Sequence, residues 1–98
     1  MIHLTVLRTF IAVLDHGSII EASRNCGYSP AAVSRQMSAL QARLGVRLFE
    51  PDGRGIRPRP IAEELAVGAR RLLDECDQFD DYAKGLCTSQ NVHSLVLV

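Results

Sequence analysis

The sequence predicts a mostly α-helical fold. It is a winged helix-turn-helix of three helices and a short β-hairpin, followed by one long helix with a dimerisation seam. Three observations carry this. Residues 18–45 read as two helices with marked ends joined by a glycine-containing turn. An alternating segment broken by Pro51-Asp52-Gly53 follows. From Pro60 onward, apolar side chains recur every seven residues.

The first helix is expected over Leu4 to Asp15, because Leu7, Phe10, Ile11 and Leu14 recur at i, i+3, i+4 and i+7 and form one apolar stripe. His16-Gly17 closes it. Ser18 and Glu21 then form a capping box, in which the hydroxyl and the carboxylate each take a free backbone N–H. A short second helix reaches about Asn25. Gly27 is expected to supply the positive φ of the turn, with Cys26 and Tyr28 as apolar plugs beneath it.

The third helix is the best marked. Ser29 caps its start, Pro30 suits the first helical position and Gly45 suits a left-handed stop. On a wheel of about 100° per residue, Val33, Met37, Leu40 and Leu44 fall together as the buried stripe. The opposite side carries Ala31, Ser34, Arg35, Ser38 and Ala42, which are small or hydrogen-bonding residues around one arginine with no acid among them. Such a face can approach an anionic groove lined with base edges, or it can simply be solvated.

Val46 to Glu50 alternates as a strand, Pro51-Asp52-Gly53 reads as the turn, and Ile56-Arg57 returns as a second strand. Arg54 stands at the hairpin tip between two glycines. There it either enters a minor groove, meets a phosphate or stays in solvent.

The longest helix is expected from Pro60 to about Gly85, with Lys84-Gly85 as its end. Leu65, Leu72, Phe79 and Leu86 are spaced by seven, as are Ala62, Ala69, Cys76 and Ala83. Read as a heptad, the small set occupies a and the large set d. The seam implies a partner helix, from a second copy of the chain or from another domain of the same chain. The distal acids Asp74, Glu75, Asp77, Asp80 and Asp81 read as a solvated face rather than a metal site. After a polar tail, Leu95 to Val98 begins what reads as a strand with nothing to pair with, so the chain is expected to be the front part of a longer protein.

Composition narrows the function classes. The chain has 98 residues and no net charge, but the charge is segregated. Arg24 to Arg59 holds seven arginines against two acids, a net +5, while the residues from Pro60 onward carry −4. A basic middle beside an acidic remainder suggests nucleic-acid binding by one part. Arginine also pairs bidentately with phosphate and guanine where lysine cannot. No histidine, cysteine and carboxylate are grouped at catalytic spacing, and His3, His16 and His93 read as surface or cap residues. A domain of this size has little room for an enclosed active site, so an enzyme is disfavoured, and no cofactor or metal is implied. Cys26, Cys76 and Cys87 lie far apart and fit a reducing compartment. No apolar run is long enough to span a bilayer, which makes a cytoplasmic protein the expectation.

These residues also resemble a known family, the LysR-type transcriptional regulators, over residues 1 to about 86. The family pattern appears as Leu7-x-x-Phe10, Gly17-Ser18, Ala22, Ser29, Ala32-Val33-Ser34-x-Gln36-Met37, Leu40, Leu44-Gly45, Leu48-Phe49 and Arg54-x-Ile56. The resemblance implies a DNA-binding domain over 1–59, a linker helix over 60–86 that pairs with its mate, usually antiparallel, and a hinge with the start of an effector-binding domain over 87–98. By position, the family's DNA-contacting residues fall on Ser29, Pro30, Ala31, Ser34, Arg35 and Ser38, with Arg54 on the wing.

The chain also departs from the pattern. Pro30-Ala31 replaces the usual Gln-Pro, which removes a side chain able to hydrogen-bond a base. Pro51 stands where an arginine is usual, and Pro58-Arg59 replaces a Leu-Thr. The implied partners are double-stranded DNA and a second copy of the chain, with a higher oligomer and a small-molecule effector belonging to a longer protein. The implied location is the cytoplasm, at the nucleoid. The alternative is a winged-helix protein-interaction module without sequence-specific DNA binding.

Overall fold

The computed structural model describes residues 1–90. Helices α1 (Leu4–His16), α2 (Ile19–Cys26) and α3 (Pro30–Leu44) precede an antiparallel hairpin of β1 (Phe49–Asp52) and β2 (Gly55–Pro58), and α4 (Pro60–Gln90) follows. The described chain thus has the order predicted for a winged helix-turn-helix with a long terminal helix.

One core joins all four helices. Leu7, Phe10 and Val13 of α1 meet Ala22 of α2, Val33, Met37 and Leu40 of α3, Leu48 of the connection, and Ala62, Ala66, Ala69 and Leu73 of α4. The rings of Phe10 and Phe49 lie 5.8 Å apart, tilted at 59°, so the wing's first strand is anchored on α1. Val13 lay outside the predicted stripe of α1 yet is fully buried, while Leu44, predicted on the buried stripe of α3, is exposed. The last turn of α3 has passed the edge of the core.

Three helices end in left-handed glycines: Gly17 at φ 63°, Gly27 at 77° and Gly45 at 72°. The capping box forms only half. Ser18 Oγ accepts from the Glu21 N–H at 3.2 Å, but the Glu21 carboxylate reaches forward to Arg24 at 2.9 Å. Tyr28 does not plug the turn, for it is 40% exposed at the surface beside Ser29.

The expected strand Val46 to Glu50 shifts to Phe49–Asp52. Hydrogen bonding explains the shift. The Val46 N–H is taken by the Gln41 carbonyl at 3.3 Å, and the Leu48 N–H by Gln41 Oε1 at 2.7 Å, so neither is free to join a ladder. Pro51 and Asp52 are strand residues, leaving Gly53 and Arg54 as a two-residue turn with Gly53 at φ 61°. A two-stranded hairpin has only edges and therefore tolerates Pro51.

The hairpin also meets the α1–α2 corner through its backbone. The Ile56 N–H donates to the Gly17 carbonyl at 3.2 Å, and a Cβ on Gly55 would lie 2.6 Å from that same oxygen.

Helix α4 runs through Gly85 to Gln90 rather than stopping near residue 85. A helix-interior glycine costs only about 1 kcal/mol, and the Lys84–Asp80 pair at 2.9 Å spans the same turn. Residues 87–90, expected in a hinge, therefore belong to the helix. The expected strand Leu95 to Val98 lies outside the described residues.

The heptad splits between two environments. Ala62 and Ala69 are buried in this chain's own core, so they are not free to meet another chain, and Cys76 and Ala83 are half-buried. Leu72, Phe79 and Leu86 are 46%, 67% and 49% exposed. The module reaches further along α4 than its first turns, because α1 covers it as far as Leu73 and pairs with Asp77.

Replacing Gln41 by Ala orphans the Leu48 N–H and should cost about 1–3 kcal/mol in urea unfolding, whereas Gln41→Glu, which keeps an acceptor oxygen, should cost less. Gly55→Ala should lower the melting temperature, because its methyl group meets a backbone oxygen that cannot move aside.

Candidate nucleic-acid interface

The candidate surface begins at the amino terminus of α3. Ser29 Oγ accepts from the Ala32 N–H at 3.1 Å, which leaves the serine O–H free as a donor to solvent or a ligand. Pro30 occupies the first turn, which contains no acid, so the positive end of the helix is uncompensated.

Ser29, Pro30, Ala31, Ser34, Arg35 and Ser38 are all exposed, as is Arg54 at the wing tip. The fold presents every sequence-predicted DNA-contacting residue to solvent. The first six share α3, and Arg54 stands on a separate projection. Val33, Met37 and Leu40 are buried on the other side of the same helix, so the small polar face of α3 points away from the core.

The arginines divide by their partners. Arg24 is paired with Glu21 at 2.9 Å, and Arg57 with Glu50 across the hairpin. Arg8 and Arg70 are paired with Asp77 and Asp15. Among the described residues no carboxylate forms an ion pair with Arg35, Arg43 or Arg54. An unpaired guanidinium can meet a phosphate or a guanine edge without first breaking an internal bond.

Glu50 is one of the two acids inside the basic region. The Arg57 hydrogen bond, reinforced by the charge of Arg57 and by Arg59 and Arg47, holds its carboxyl below the usual carboxylate range. Glu50 thus stays ionised and offsets Arg57, leaving Arg54 as the unpaired cation of the hairpin.

Tyr28, expected as a plug beneath the turn, is exposed just before α3, and Arg43 and Arg47, which the sequence marks only through its charge pattern, are exposed at and after the end of α3. The basic run signalled that cations were concentrated here. Which of them were internally neutralised depended on carboxylates brought in by folding.

The family model for the bacterial regulatory helix-turn-helix protein, lysR family, matches residues 4–63. An HTH-type transcriptional regulator of Mycobacterium tuberculosis is 36% identical over 77 residues, covering 79% of this chain and 25% of that protein. The chain therefore spans about a quarter of that relative's length. Among solved structures, the CbnR DNA-binding domain in complex with DNA superposes with a TM-score of 0.80 at 32% identity, covering 87% of this chain and 98% of that one. The BenM DNA-binding domain on its benA site 1 DNA gives a TM-score of 0.81 at 28% identity, covering 87% and 96%.

The Glu50–Arg57 pair has a definite pH signature. A depressed carboxylate pKa adds stability above the unfolded value near 4.5, and this stability is lost as pH falls through the lower folded value. An NMR titration of the Glu50 carboxyl should give a midpoint below 4.5, and Arg57→Gln should move it upward.

Proposed function

Because this chain belongs to the LysR family of bacterial regulatory helix-turn-helix proteins, we propose that it is the sequence-specific DNA-reading part of a transcriptional regulator. The carrying observation is the exposed, acid-free face of α3, whose Arg35 has no carboxylate partner among the described residues. A duplex, rather than a protein surface, is the partner this family and this chemistry favour.

In this reading α3 lies in a major groove. Ser29 donates to a phosphate at the helix start and Pro30 packs beside it, while Ala31 meets a thymine methyl. Arg35 takes guanine O6 and N7 or a phosphate, and Ser34 and Ser38 donate to base edges. Arg54 reaches the flanking minor groove or backbone. With few base-reading side chains on α3, groove shape and deformability supply part of the discrimination.

The second partner is another copy of the chain. Ile61, Leu65, Leu72, Phe79 and Leu86 lie within about 40° of one line along α4, beside the face that α1 covers. Ile61, Leu72, Phe79 and Leu86 are exposed, and Leu65 is half-buried. A continuous exposed apolar row of this length is what a mate helix would bury, with Cys76 and Ala83 at its margin. Two modules joined there read two half-sites, as a two-fold assembly does. An effector would act through a domain beyond the described residues. A DNA partner puts the site of action in the cytoplasm at the nucleoid; among the described residues no helix is long and apolar enough to cross a membrane.

Arg35→Ala should weaken binding to a selected operator by about 1–3 kcal/mol and relax preference at one position, measured by titration against scrambled duplex. Unchanged discrimination would remove its base-reading role. Arg54→Ala should weaken binding on all sequences and reduce the salt slope by about 1. Leu72→Asp should give a monomer by light scattering; a persisting dimer would refute the row.

A further inference from the structure

Gly68 stands in the interior of α4 without a reason inside its own chain. It is exposed, its φ is not positive, and a Cβ placed on it would meet no other described part of the chain within 4 Å. Glycine weakens a helix interior relative to alanine, so this residue destabilises α4 and nothing described in the chain compensates for it.

Its neighbours on the helix surface supply a pattern. The exposed row runs through Leu65, Leu72, Phe79 and Leu86, and four residues before each of these stand Ile61, Gly68, Glu75 and Tyr82. The two sets alternate at spacings of four and three, as the contact face of a helix paired with another helix does. Ile61, Gly68, Glu75 and Tyr82 are all exposed, whereas the opposite margin of the row is closed by Ala62 and Ala69 in this chain's own core. The open side of the row is therefore the side of Gly68. The rings of Phe79 and Tyr82 lie 6.5 Å apart and form one aromatic ledge on it. Arg71 and Glu75 flank the same face, exposed, and among the described residues neither forms an ion pair.

A closed pair of identical helices is either parallel and in register or antiparallel. The parallel pair sets each residue against itself. Gly68 against its own copy leaves a void, and Glu75 against its own copy brings like charges together in the seam. An antiparallel pair centred between Leu73 and Asp74 has neither fault. It sets Phe79 against the partner's Gly68, Leu86 against the partner's Ile61 and Leu65 against the partner's Tyr82, each twice by symmetry. Glu75 lies over the partner's Leu72 and beside the partner's Arg71 on the same flank. A shift by one heptad either way leaves two apolar residues of each copy without an apolar partner, and it puts Glu75 beside the partner's Glu64 or the partner's Gln78.

Resting on the dimer proposed above, we propose that Gly68, Arg71, Glu75 and Phe79 are its specificity-determining residues: Phe79 seats on the partner's Gly68, and Arg71 pairs with the partner's Glu75. The missing side chain at Gly68 lets the Phe79 ring lie against backbone, which explains a glycine inside a long helix. The two crossed ion pairs lie at the rim of the seam, where charge contributes more to the choice of partner and register than to affinity.

The test measures the dimer dissociation constant of the whole chain by sedimentation equilibrium. Gly68→Phe and Phe79→Gly should each raise it by about tenfold or more, the first through a clash and the second through a void, and the double exchange should return it to within roughly threefold of the original. Both positions are exposed in the single chain, so far-UV circular dichroism should show the fold retained in both variants.

A second arm uses charge alone. Arg71→Glu and Glu75→Arg each set like charges at both rims of a homodimer and should weaken it by roughly threefold to tenfold. An equimolar mixture of these two variants sets glutamate against arginine at both rims and should form a heterodimer as tight as the original dimer. Mixing leaves contacts within one helix unaltered, so only the crossed pairing gives this rescue. A wild-type dimer whose variants are rescued neither by the double exchange nor by mixing would overturn the proposal and leave the dimer standing. A wild-type chain that is monomeric at every concentration would overturn the dimer itself and this assignment with it.

Discussion

The structure depends most on how the backbone at Leu48 is held. Its side chain is completely buried, so its amide groups need partners away from water. The N–H donates to Gln41 Oε1 at 2.7 Å, and the carbonyl accepts from the Arg59 N–H at 2.8 Å. Those two bonds connect the end of α3, the wing and the start of α4. The Arg59 carbonyl in turn accepts from the N–H groups of Ala62 and Glu63, which begins α4. One buried residue thus relates α3, the wing and α4.

The surface follows from that frame. With Leu48 and Phe49 fixed, the hairpin lies against Gly17 and carries Arg54 outward. The core side of α3 is committed to Val33, Met37 and Leu40, so its small polar face has only solvent or a ligand to meet. Internal ion pairs then select among the cations. Glu21 and Glu50 occupy Arg24 and Arg57, and Asp15 and Asp77 tie Arg70 and Arg8 into the α1–α4 seam. Among the described residues, the arginines in no ion pair include Arg35 and Arg54, one on α3 and one on the wing. A segregated charge pattern in a neutral chain becomes an exposed basic surface on α3 and the wing, and ion pairs that join α4 to α1.

Much of the fold was legible because its signals are local. Caps at Ser18 and Ser29, left-handed stops at Gly17, Gly27 and Gly45, and the glycines around Arg54 each fix a boundary through a few neighbouring residues. The boundaries that shifted were settled by distant groups or by competition. The first strand began three residues late because Gln41 took the N–H groups before it. Helix α4 passed Gly85 because one glycine is too weak a stop against a helix of 31 residues.

Element order, the polar face of α3 and the family of the chain were readable from residues alone, since periodicity, capping and motif spacing are properties of neighbours along the chain. The tertiary structure alone decided which heptad residues remain free. Ala62 and Ala69 share the spacing of a heptad seam, yet both are buried in this chain's own core, while Leu72 and Phe79 stay exposed. It also decided which arginines are neutralised and which glycine lies against another backbone. Period seven specifies a face of a helix but not what that face meets, and only packing brings Asp15 to Arg70 or Gly17 to Gly55.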